Sequence, residues 1–277
     1  MSNTTVTDQA LAARLERAEA RANVASIEAR AAIDPNVGAT WVEVDGTFAL
    51  FDGPRSPLTQ TFGLGMTAAP TPTALDAIES FFSSRHADTM HETCPLADPG
   101  LLRLLPDRGY RPIEQSTVLY QPLNAATHHV AEQDSHIRVR ASCAPDAHLW
   151  ASIASRGWGD TPELAQIVLD FGPIYGSAAG MISFIAEWNG EPAAAAALSV
   201  RDDVALLAGA STIPAFRGRG LQTALLRARL AHGVRLGCDL AMMVAAPGSG
   251  SQRNAERRGL RIAFTRTKWA LATSAVS

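Results

Sequence analysis

The chain of 277 residues has the composition of an ordinary globular protein, with 47% hydrophobic and 18% charged residues, which excludes a disordered or low-complexity protein. Its formal net charge of -3 provides no global basic field for DNA or RNA. Any site for an anionic ligand must therefore be local.

The sequence carries no sign of secretion or membrane insertion. Its start lacks the charged-then-apolar pattern of a signal peptide, and no run approaches the roughly 20 apolar residues of a membrane span. The three cysteines, Cys94, Cys143 and Cys238, are far apart and odd in number, which favours a reducing compartment over a disulfide framework. We therefore expect a cytoplasmic protein without a membrane partner.

The first half of the chain alternates helical and strand patterns. Residues 10–32 are rich in Ala, Arg and Glu and predict an amphipathic helix. Asp45-Gly46 between two apolar runs predicts a β-hairpin. The further predicted elements are a strand in LTQTFGLGM, a helix at 71–85, a strand at 89–94, a helix at 99–105 and a strand in IEQSTVLYQPL.

A polar segment without periodicity, residues 124–135, is predicted to be a linker between a domain at 1–123 and a domain at 136–277. The second half then repeats the alternation. Its predicted elements are a strand in HIRVRASC, helices at 146–155 and 161–171, a hairpin turning at Asn189-Gly190, a strand in VALLAGASTI, a helix from Leu221, a strand in CDLAMMVAA, a short helix at 252–258 and a strand in AFTRTKWAL.

The two halves also match each other in sequence. WVEVDGTFAL aligns with IAEWNGEPAA, and RGYRPIEQSTVLY aligns with RGLRIAFTRTKWA, at nearly equal offsets. The matches pair Gly46 with Gly190 and Gly109 with Gly259. They favour an internal duplication, with coincidence as the alternative.

One stretch of the second half, AFRGRGLQTALLRARLAHG, places two glycines and two arginines directly before a helix. Apolar residues at three- and four-residue steps predict the helix, and Gly233 predicts its end. No Ser, Thr, Asp or Asn precedes Leu221 to cap the first-turn amides. An anion held by those amides, the helix dipole, Arg217 and Arg219 would explain the pattern, and an ordinary surface turn is the alternative.

The matching stretch of the first half, GMTAAPTPTALDA, lacks the Arg-Gly-x-Gly element. Pro70 and Pro72 stand in its place, and a proline has no amide hydrogen to offer an anion. If the halves are duplicates, only the second has kept the anion site.

Residues 213–226, IPAFRGRGLQTALL, closely resemble the acyl-CoA-binding motif of the GNAT acyltransferase superfamily, a strand followed by Pro-x-aromatic-Arg-Gly-x-Gly-aliphatic-Gly/Ala and a helix. SQRNAERRGL is similar to the second motif of that family. The resemblance implies two GNAT-like α/β domains, each a mixed, twisted β-sheet flanked by α-helices, with a degenerate N-terminal domain. It also implies that the loop amides hold the pyrophosphate of coenzyme A at the helix N-terminus.

The resemblance implies coenzyme A contacts residue by residue. The loop and first turn would supply Arg217, Gly218, Arg219, Gly220, Leu221, Gln222 and Thr223, the preceding strand Ser211, Thr212 and Ile213, and the second helix Ser251 and Asn254. Gln222 departs from the usual Gly or Ala and would either point outward or crowd the phosphate. For Ser251 and Asn254 the alternatives are a helix cap and an exposed side chain.

The catalytic residues stay unassigned. In the family an amine attacks the thioester directly, aided by a base and by an acid that is often Tyr. Ala255 occupies the usual Tyr position, and Leu206, Ala208 and Ala210 occupy strand positions that often carry Glu or His. Proximity and a polarising backbone amide can supply much of the rate. Otherwise the candidates for acid and base are Asp160, Glu163, Asp170 and Tyr175.

The sequence therefore predicts an acetyl- or acyl-CoA-dependent N-acyltransferase that acts on a small-molecule amine, without a metal or a DNA partner. Aminoacyl transfer, acyl-CoA decarboxylation and non-catalytic acyl-CoA sensing are the alternatives, and a homodimer is left open. His91-x-x-Cys94 does not provide the four ligands of a structural zinc site.

Overall fold

The computed structural model describes residues 6–124, 135–142 and 146–271 of the chain. The helices are α1 (Gln9–Ile33), α2 (Pro72–Ser83), α3 (Leu101–Asp107), α4 (Ala147–Gly157), α5 (Pro162–Ser177), α6 (Leu221–Arg235) and α7 (Gly250–Glu256). The strands are β1 (Thr40–Val44), β2 (Thr47–Phe51), β3 (Gln60–Phe62), β4 (Met90–Thr93), β5 (Tyr110–Pro122), β6 (Ile137–Ala141), β7 (Met181–Trp188), β8 (Glu191–Arg201), β9 (Val204–Thr212), β10 (Leu240–Ala245) and β11 (Arg261–Leu271). Among the described residues, every helix is too short or too polar to span a lipid bilayer.

The chain folds into two compact units. Unit 1 comprises Met1–Leu119 and Val244–Ser277, and unit 2 comprises Tyr120–Met243. The strands of unit 1 lie in the order β1-β2-β3-β4-β11-β5. The β3/β4 pair is parallel, whereas β1/β2, β2/β3 and β4/β11 are antiparallel. Unit 1 is therefore built on a mixed sheet.

Helices cover the sheet of unit 1 through two apolar cores. α1 starts at Asp8, whose carboxylate accepts the Leu11 amide at 2.8 Å. Its apolar face packs against Phe48, Leu50 and Phe62, and α2 packs against Ala49 and Phe51. Because successive strand residues point to opposite faces, β2 feeds both cores and is buried along its whole length.

In unit 2 the strand order is β10-β9-β8-β7-β6. β10 is parallel to β9, and the other neighbouring pairs are antiparallel. α4 packs on β8 and β9 in a core that contains Trp150, Ile185 and Ile213. α6 contacts the same two strands, where the alanine run at 193–197 is fully buried. Side chains this small let the helices approach the sheet closely.

Both units are mixed sheets flanked by helices, so the predicted fold class is confirmed. The ends of α2 to α7 differ from the predicted ones by two residues or more. α5 continues past residue 171 to Ser177, and α6 continues past Gly233 to Arg235. A Cβ on Gly233 would lie 2.9 Å from the Cβ of Ala205, so this glycine permits close helix–strand packing. The left-handed glycine after α6 is Gly237, with a φ of 84°.

The turns that are paired by the sequence match between the two halves have the same backbone conformation. The hairpin residues Asp45 and Gly46 have φ values of 49° and 78°, and Asn189 and Gly190 have 50° and 83°. Gly109 and Gly259 have φ values of 93° and 94°. These positions need a left-handed backbone, which explains the recurrence of Gly, Asn and Asp there. The agreement supports the predicted duplication.

Unit 1 contains a strand from the second half of the sequence, and unit 2 contains the end of a strand from the first half. β11 lies in unit 1, where Thr267 is opposite Thr93 in the antiparallel pairing with β4. The end of β5 lies in unit 2, where the Leu123 amide donates to the Asp239 carbonyl at 2.7 Å. The linker predicted at 124–135 falls almost wholly outside the described residues, and the domain boundaries at 123 and 136 stay predictions.

A buried cluster of charges joins β11 to α1 within unit 1. Arg266 donates to the two carboxylate oxygens of Glu19 at 2.7 and 2.9 Å and lies 3.0 Å from Glu92 and 3.4 Å from Glu16. Burial raises the pKa of Glu16 to about 7, although Arg266 acts in the opposite direction. Glu16 is therefore protonated in the folded protein at pH values where an unfolded chain would ionise it.

Glu16 should lower the stability of the folded protein as the pH rises, and Glu16→Gln should abolish this effect. Between pH 4.5 and 7 the folded state holds a proton on Glu16 that the unfolded state releases, so the free energy of unfolding falls as the pH rises. The effect is about 3 kcal/mol at pH 8. The Tm difference between Glu16→Gln and wild type, measured from pH 5 to 8, should therefore grow with pH. Glu28→Gln, an exposed position on the same helix, is the matched control, and parallel curves for all three proteins would contradict the prediction.

Candidate active site

The first turn of α6 begins without a side-chain cap. Its N-cap is Gly220, in the left-handed region with a φ of 81°, and no side chain of the described residues caps it. The first bond of the helix runs from the Ala224 amide to the Gly220 carbonyl at 3.0 Å. The amides of Leu221 and Gln222 lie before this bond and have no acceptor within the helix. Thr223 lies in the same first turn. This is the helix start that the sequence predicts, and such a start attracts anions.

The two arginines of the loop have different surroundings. The Arg217 guanidinium is bound within the protein, with Nη1 2.7 Å from Oδ2 of Asp160. The exposed Arg219 lies over the rings of Trp188 and Phe216, at 5.1 and 5.5 Å from their centroids. No carboxylate among the described residues pairs with Arg219. Its charge is therefore the one available to a ligand at this loop, which also contains Gly218 with a φ of 78°.

The side chain of Gln222 turns back onto the end of β9. Its Nε2 donates to Oγ1 of Thr212 at 2.8 Å. The Ser211 hydroxyl donates to the Ala154 carbonyl at 3.0 Å, and Ile213 is buried in the core under α4. Because these side chains have partners within the protein, contacts of this strand with a ligand would come from its backbone groups.

A β-bulge interrupts β9 just before these residues. The cross-strand partners are Ala197 with Ala208 and Ala195 with Ser211. Between these pairs, β8 has one residue, Ala196, whereas β9 has two, Gly209 and Ala210. Gly209 has a φ of 58° and is exposed. A bulge removes peptide groups from the ladder and redirects them, so backbone N–H groups become available at this point of the strand.

Buried side chains from two helices satisfy the carbonyls around the bulge. The Trp150 indole of α4 donates to the Ala196 carbonyl at 3.0 Å. Arg229 of α6 donates through Nη1 to the carbonyls of Ala197 and Ala208 at 3.0 and 3.2 Å. Burial lowers the pKa of Arg229 to about 10, which leaves the group protonated at neutral pH. The bulge is thus fixed from outside the sheet.

Beyond Leu206, β9 is not paired with β10. Parallel pairing with β10 runs from Val204 opposite Leu240 to Leu206 opposite Met242, whereas β9 itself continues to Thr212. Backbone N–H and C=O groups beyond the paired segment can bind an extended ligand as another strand would. This unpaired segment, the open edge of β9, contains the bulge and is followed along the chain by the start of α6.

The three carboxylates predicted as candidate acids or bases do not reach the bulge through any described contact. Asp160 is held by Arg217. Asp170 accepts a hydrogen bond from Gln166 at 3.0 Å, and Glu163 is exposed in the first turn of α5. Their partners are those of ordinary surface residues.

Tyr175, the fourth candidate, does lie at the bulge. Its ring stacks on Trp150 with centroids 5.0 Å apart. Its Cε1, next to the carbon that bears the hydroxyl, lies 3.6 Å from where a Cβ on Gly209 would be. Burial raises the pKa of Tyr175, so at neutral pH the side chain is a proton donor and not a base.

The residues of the second motif lie on or beside α7. Ser249 caps this helix by accepting the Gln252 amide at 3.2 Å, so the interpretation of Ser251 as the cap was wrong. Ser251 is exposed and Asn254 is half-buried, and their role toward coenzyme A stays a prediction. Ala255 is buried and provides no acid.

Sequence reasoning missed the residues that fix the bulge, although two signals were present. A glycine inside a strand, here Gly209, commonly marks a bulge. Arg229 falls four and eight residues after Leu225 and Leu221, on the buried face of α6, where an arginine needs a specific reason.

The His91-x-x-Cys94 pattern is explained by the contacts of His91 within the protein. His91 is buried and its Nδ1 lies 2.7 Å from Oγ1 of Thr61. Burial lowers the pKa of His91 to about 3, so the ring is neutral. The described residues contain no group of His, Cys, Asp and Glu side chains that could hold a metal ion.

The chain resembles solved structures over most of its length. A GCN5-related N-acetyltransferase from Kribbella flavida is 20% identical, with a TM-score of 0.65 over 91% of this chain and 97% of the other. A second one, from Sphaerobacter thermophilus, is 16% identical, with a TM-score of 0.55 over 76% and 71%. A tandem GNAT protein from the clavulanic acid biosynthesis pathway is 12% identical, with a TM-score of 0.56 over 82% and 79%. At these identities the likeness establishes the fold alone.

The sequence comparisons match one part of the chain to a family. No curated protein matches the chain. The model of the acetyltransferase (GNAT) family matches residues 147–260, a segment that contains the bulge, the open edge of β9, the glycine loop and α6. Residues 147–260 are therefore similar in sequence to the acetyltransferase (GNAT) family.

Proposed function

We propose that the protein is an acetyl- or acyl-CoA-dependent N-acyltransferase whose acceptor is a small-molecule amine. The uncapped start of α6 at Gly220, which follows the bulged strand β9, carries the proposal. A helix start of this kind binds a diphosphate, and an unpaired bulge amide binds a thioester carbonyl.

The donor would lie along β9 and end at α6. The amides of Gly220, Leu221 and Gln222, with the charge of Arg219, would hold the pyrophosphate of coenzyme A. The backbone edge of β9 beyond Leu206 would bind the pantetheine arm in an extended conformation. In this arrangement the thioester would lie beside Gly209 and Ala210.

The reaction then depends more on the position of the two substrates than on acid or base side chains of the protein. The neutral amine attacks the carbonyl carbon, and a bulge N–H stabilises the negative charge that develops on the carbonyl oxygen. The C–S bond then breaks, the nitrogen loses its extra proton to solvent, and the thiolate of coenzyme A leaves and takes up a proton from solvent. Leu206, Ala208 and Ala210 offer no base on β9.

The N-terminal half is proposed to be a degenerate GNAT-like domain without a donor site. Its counterpart of α6 is α2, which does have a side-chain cap. Thr71 accepts the Ala74 amide at 3.1 Å, and Pro72 occupies the first position of the helix. The amides that an anion would need are thus capped or absent.

A non-catalytic acyl-CoA-binding module is the second candidate, and buried Ala255 at the usual Tyr position favours it. Incubation with acetyl-CoA and a panel of small amines separates the two. Release of the free thiol together with an acylated amine supports the transferase. Tight binding without release above spontaneous hydrolysis would support the module. A cytoplasmic location and a homodimer stay predictions.

Arg219→Glu should weaken coenzyme A binding about tenfold or more, since it replaces an attractive charge at the pyrophosphate with a repulsive one. Arg227→Glu makes the same charge change at an exposed position further along α6 and should leave the affinity near that of wild type. Isothermal titration of both variants measures the difference. Equal affinities for the two variants would remove the anion site from this loop.

Titration of the full chain with coenzyme A should give one site per chain. The reason is that α6 has the uncapped glycine start, whereas Thr71 and Pro72 close the start of α2. A stoichiometry of two would show that the N-terminal half also binds the donor.

The value of kcat/KM should rise with pH until it reaches the pKa of the free acceptor amine. Only the neutral amine reacts, and Tyr175, whose pKa is raised, stays protonated through this range. Two acceptors of different pKa should therefore level off at different pH values. One inflection near neutrality, shared by both acceptors, would reveal a base on the enzyme and contradict the base-free mechanism.

A further inference from the structure

We infer that Arg229 is a positioning residue for acyl transfer, and that its guanidinium polarises the Ala208–Gly209 peptide group so that the Gly209 N–H binds the thioester oxygen more strongly. The inference rests on the proposed function. It assigns a task to a buried charge outside both sequence motifs.

The first step is the placement of the charge. Arg229 is 3% exposed, and all its described hydrogen bonds go to main-chain carbonyls. The acceptors are Leu225 in its own helix and Ala197 and Ala208 in the sheet. None of the ion pairs formed by the described residues includes Arg229. Its charge is therefore directed at the sheet and is not neutralised by a carboxylate.

The second step is the chemistry of the peptide group. The carbonyl of Ala208 and the N–H of Gly209 belong to the same amide. A cation bonded to the oxygen draws electron density from the nitrogen and makes the N–H a stronger donor, as in any chain of hydrogen bonds. Gly209 is one of the two residues that the β8/β9 register skips, and the extra residue of a bulge is left out of regular ladder pairing.

The third step is the contrast with Trp150. The indole satisfies the Ala196 carbonyl of the same bulge with a neutral donor. A neutral group is thus sufficient to satisfy a bulge carbonyl in this core. A buried guanidinium also has to be desolvated, which is costly. Hydrogen bonding of the carbonyl alone therefore does not require a charged donor. Polarisation of the Ala208–Gly209 amide does.

The test compares Arg229→Lys, which keeps the charge, with Arg229→Gln, which keeps only a neutral donor. The binding readout is the infrared carbonyl band of bound acetyl-CoA labelled with ¹³C at the carbonyl. It should lie below its frequency in water for wild type and Arg229→Lys, and close to that frequency for Arg229→Gln. We expect kcat of Arg229→Gln to fall about tenfold or more, since removal of a whole oxyanion donor costs about 100-fold or more. The affinity for coenzyme A itself should change less than about twofold, because the α6 loop is untouched.

Arg227→Gln, an exposed position on the same helix, is the matched control and should behave as wild type. A folded Arg229→Gln with an unchanged band and unchanged kcat would overturn the inference. If this variant does not fold, Arg229→Lys decides: a band at the wild-type position supports polarisation, and a band at the frequency in water overturns it. Acetyl-CoA that binds with a shifted band but acylates no amine would count against the proposed function and not against the role of Arg229.

Discussion

Peptide groups that leave a β-ladder inside a protein need other partners, and this constraint organises unit 2. The bulge at Gly209 and Ala210 takes carbonyls of β8 and β9 out of regular pairing. Trp150 from α4 and Arg229 from α6 supply the missing donors. Both helices must therefore lie close to the strands, which requires small residues at the contacts.

The composition of unit 2 follows from that requirement. The alanines of β8 have no exposed surface, and Gly233 lets α6 approach Ala205. Gly157 at the end of α4 plays the same part, since a Cβ there would lie 2.5 Å from the side chain of Ser211. The result is a rigid backbone feature at the surface of a closely packed core. A site built from such backbone groups needs few titratable side chains, which agrees with the apolar residues at positions 206, 208 and 210.

The sequence predicted the parts of the molecule that local patterns determine. Both hairpins, most helices and the glycine-led start of α6 were recognised, because turn chemistry and apolar periodicity depend on neighbouring residues. The bulge was not recognised, since it depends on the register between two strands. The partners of Arg229 and the position of Tyr175 beside Gly209 were also beyond reach, because they depend on packing between elements that are distant in the chain. Gly233 was misread for the same reason, as its role is set by Ala205.

Several residues predicted to contact coenzyme A already have side-chain partners within the protein. Gln222, Thr212 and Ser211 lie where the motif places them, yet their side chains bind one another or the core. Arg217 likewise pairs with Asp160, and this leaves Arg219 as the loop charge available to a ligand. A motif specifies which residues are near a ligand, whereas side-chain competition within the fold decides which of them can bind it.

The location of β11 in unit 1 has a consequence for how the protein forms as it emerges from the ribosome. Unit 2 is one continuous segment, Tyr120–Met243, and all of it has been synthesised before residue 261 is added. Unit 1 contains the strands made first but lacks the strand between β4 and β5 until β11 has been made. The order of completion is thus opposite to the order of synthesis, although domains commonly finish from the N-terminus onward. Until β11 has been made, β4 and β5 lack the strand that separates them, and a chaperone that shields strand edges would act on this half of the molecule.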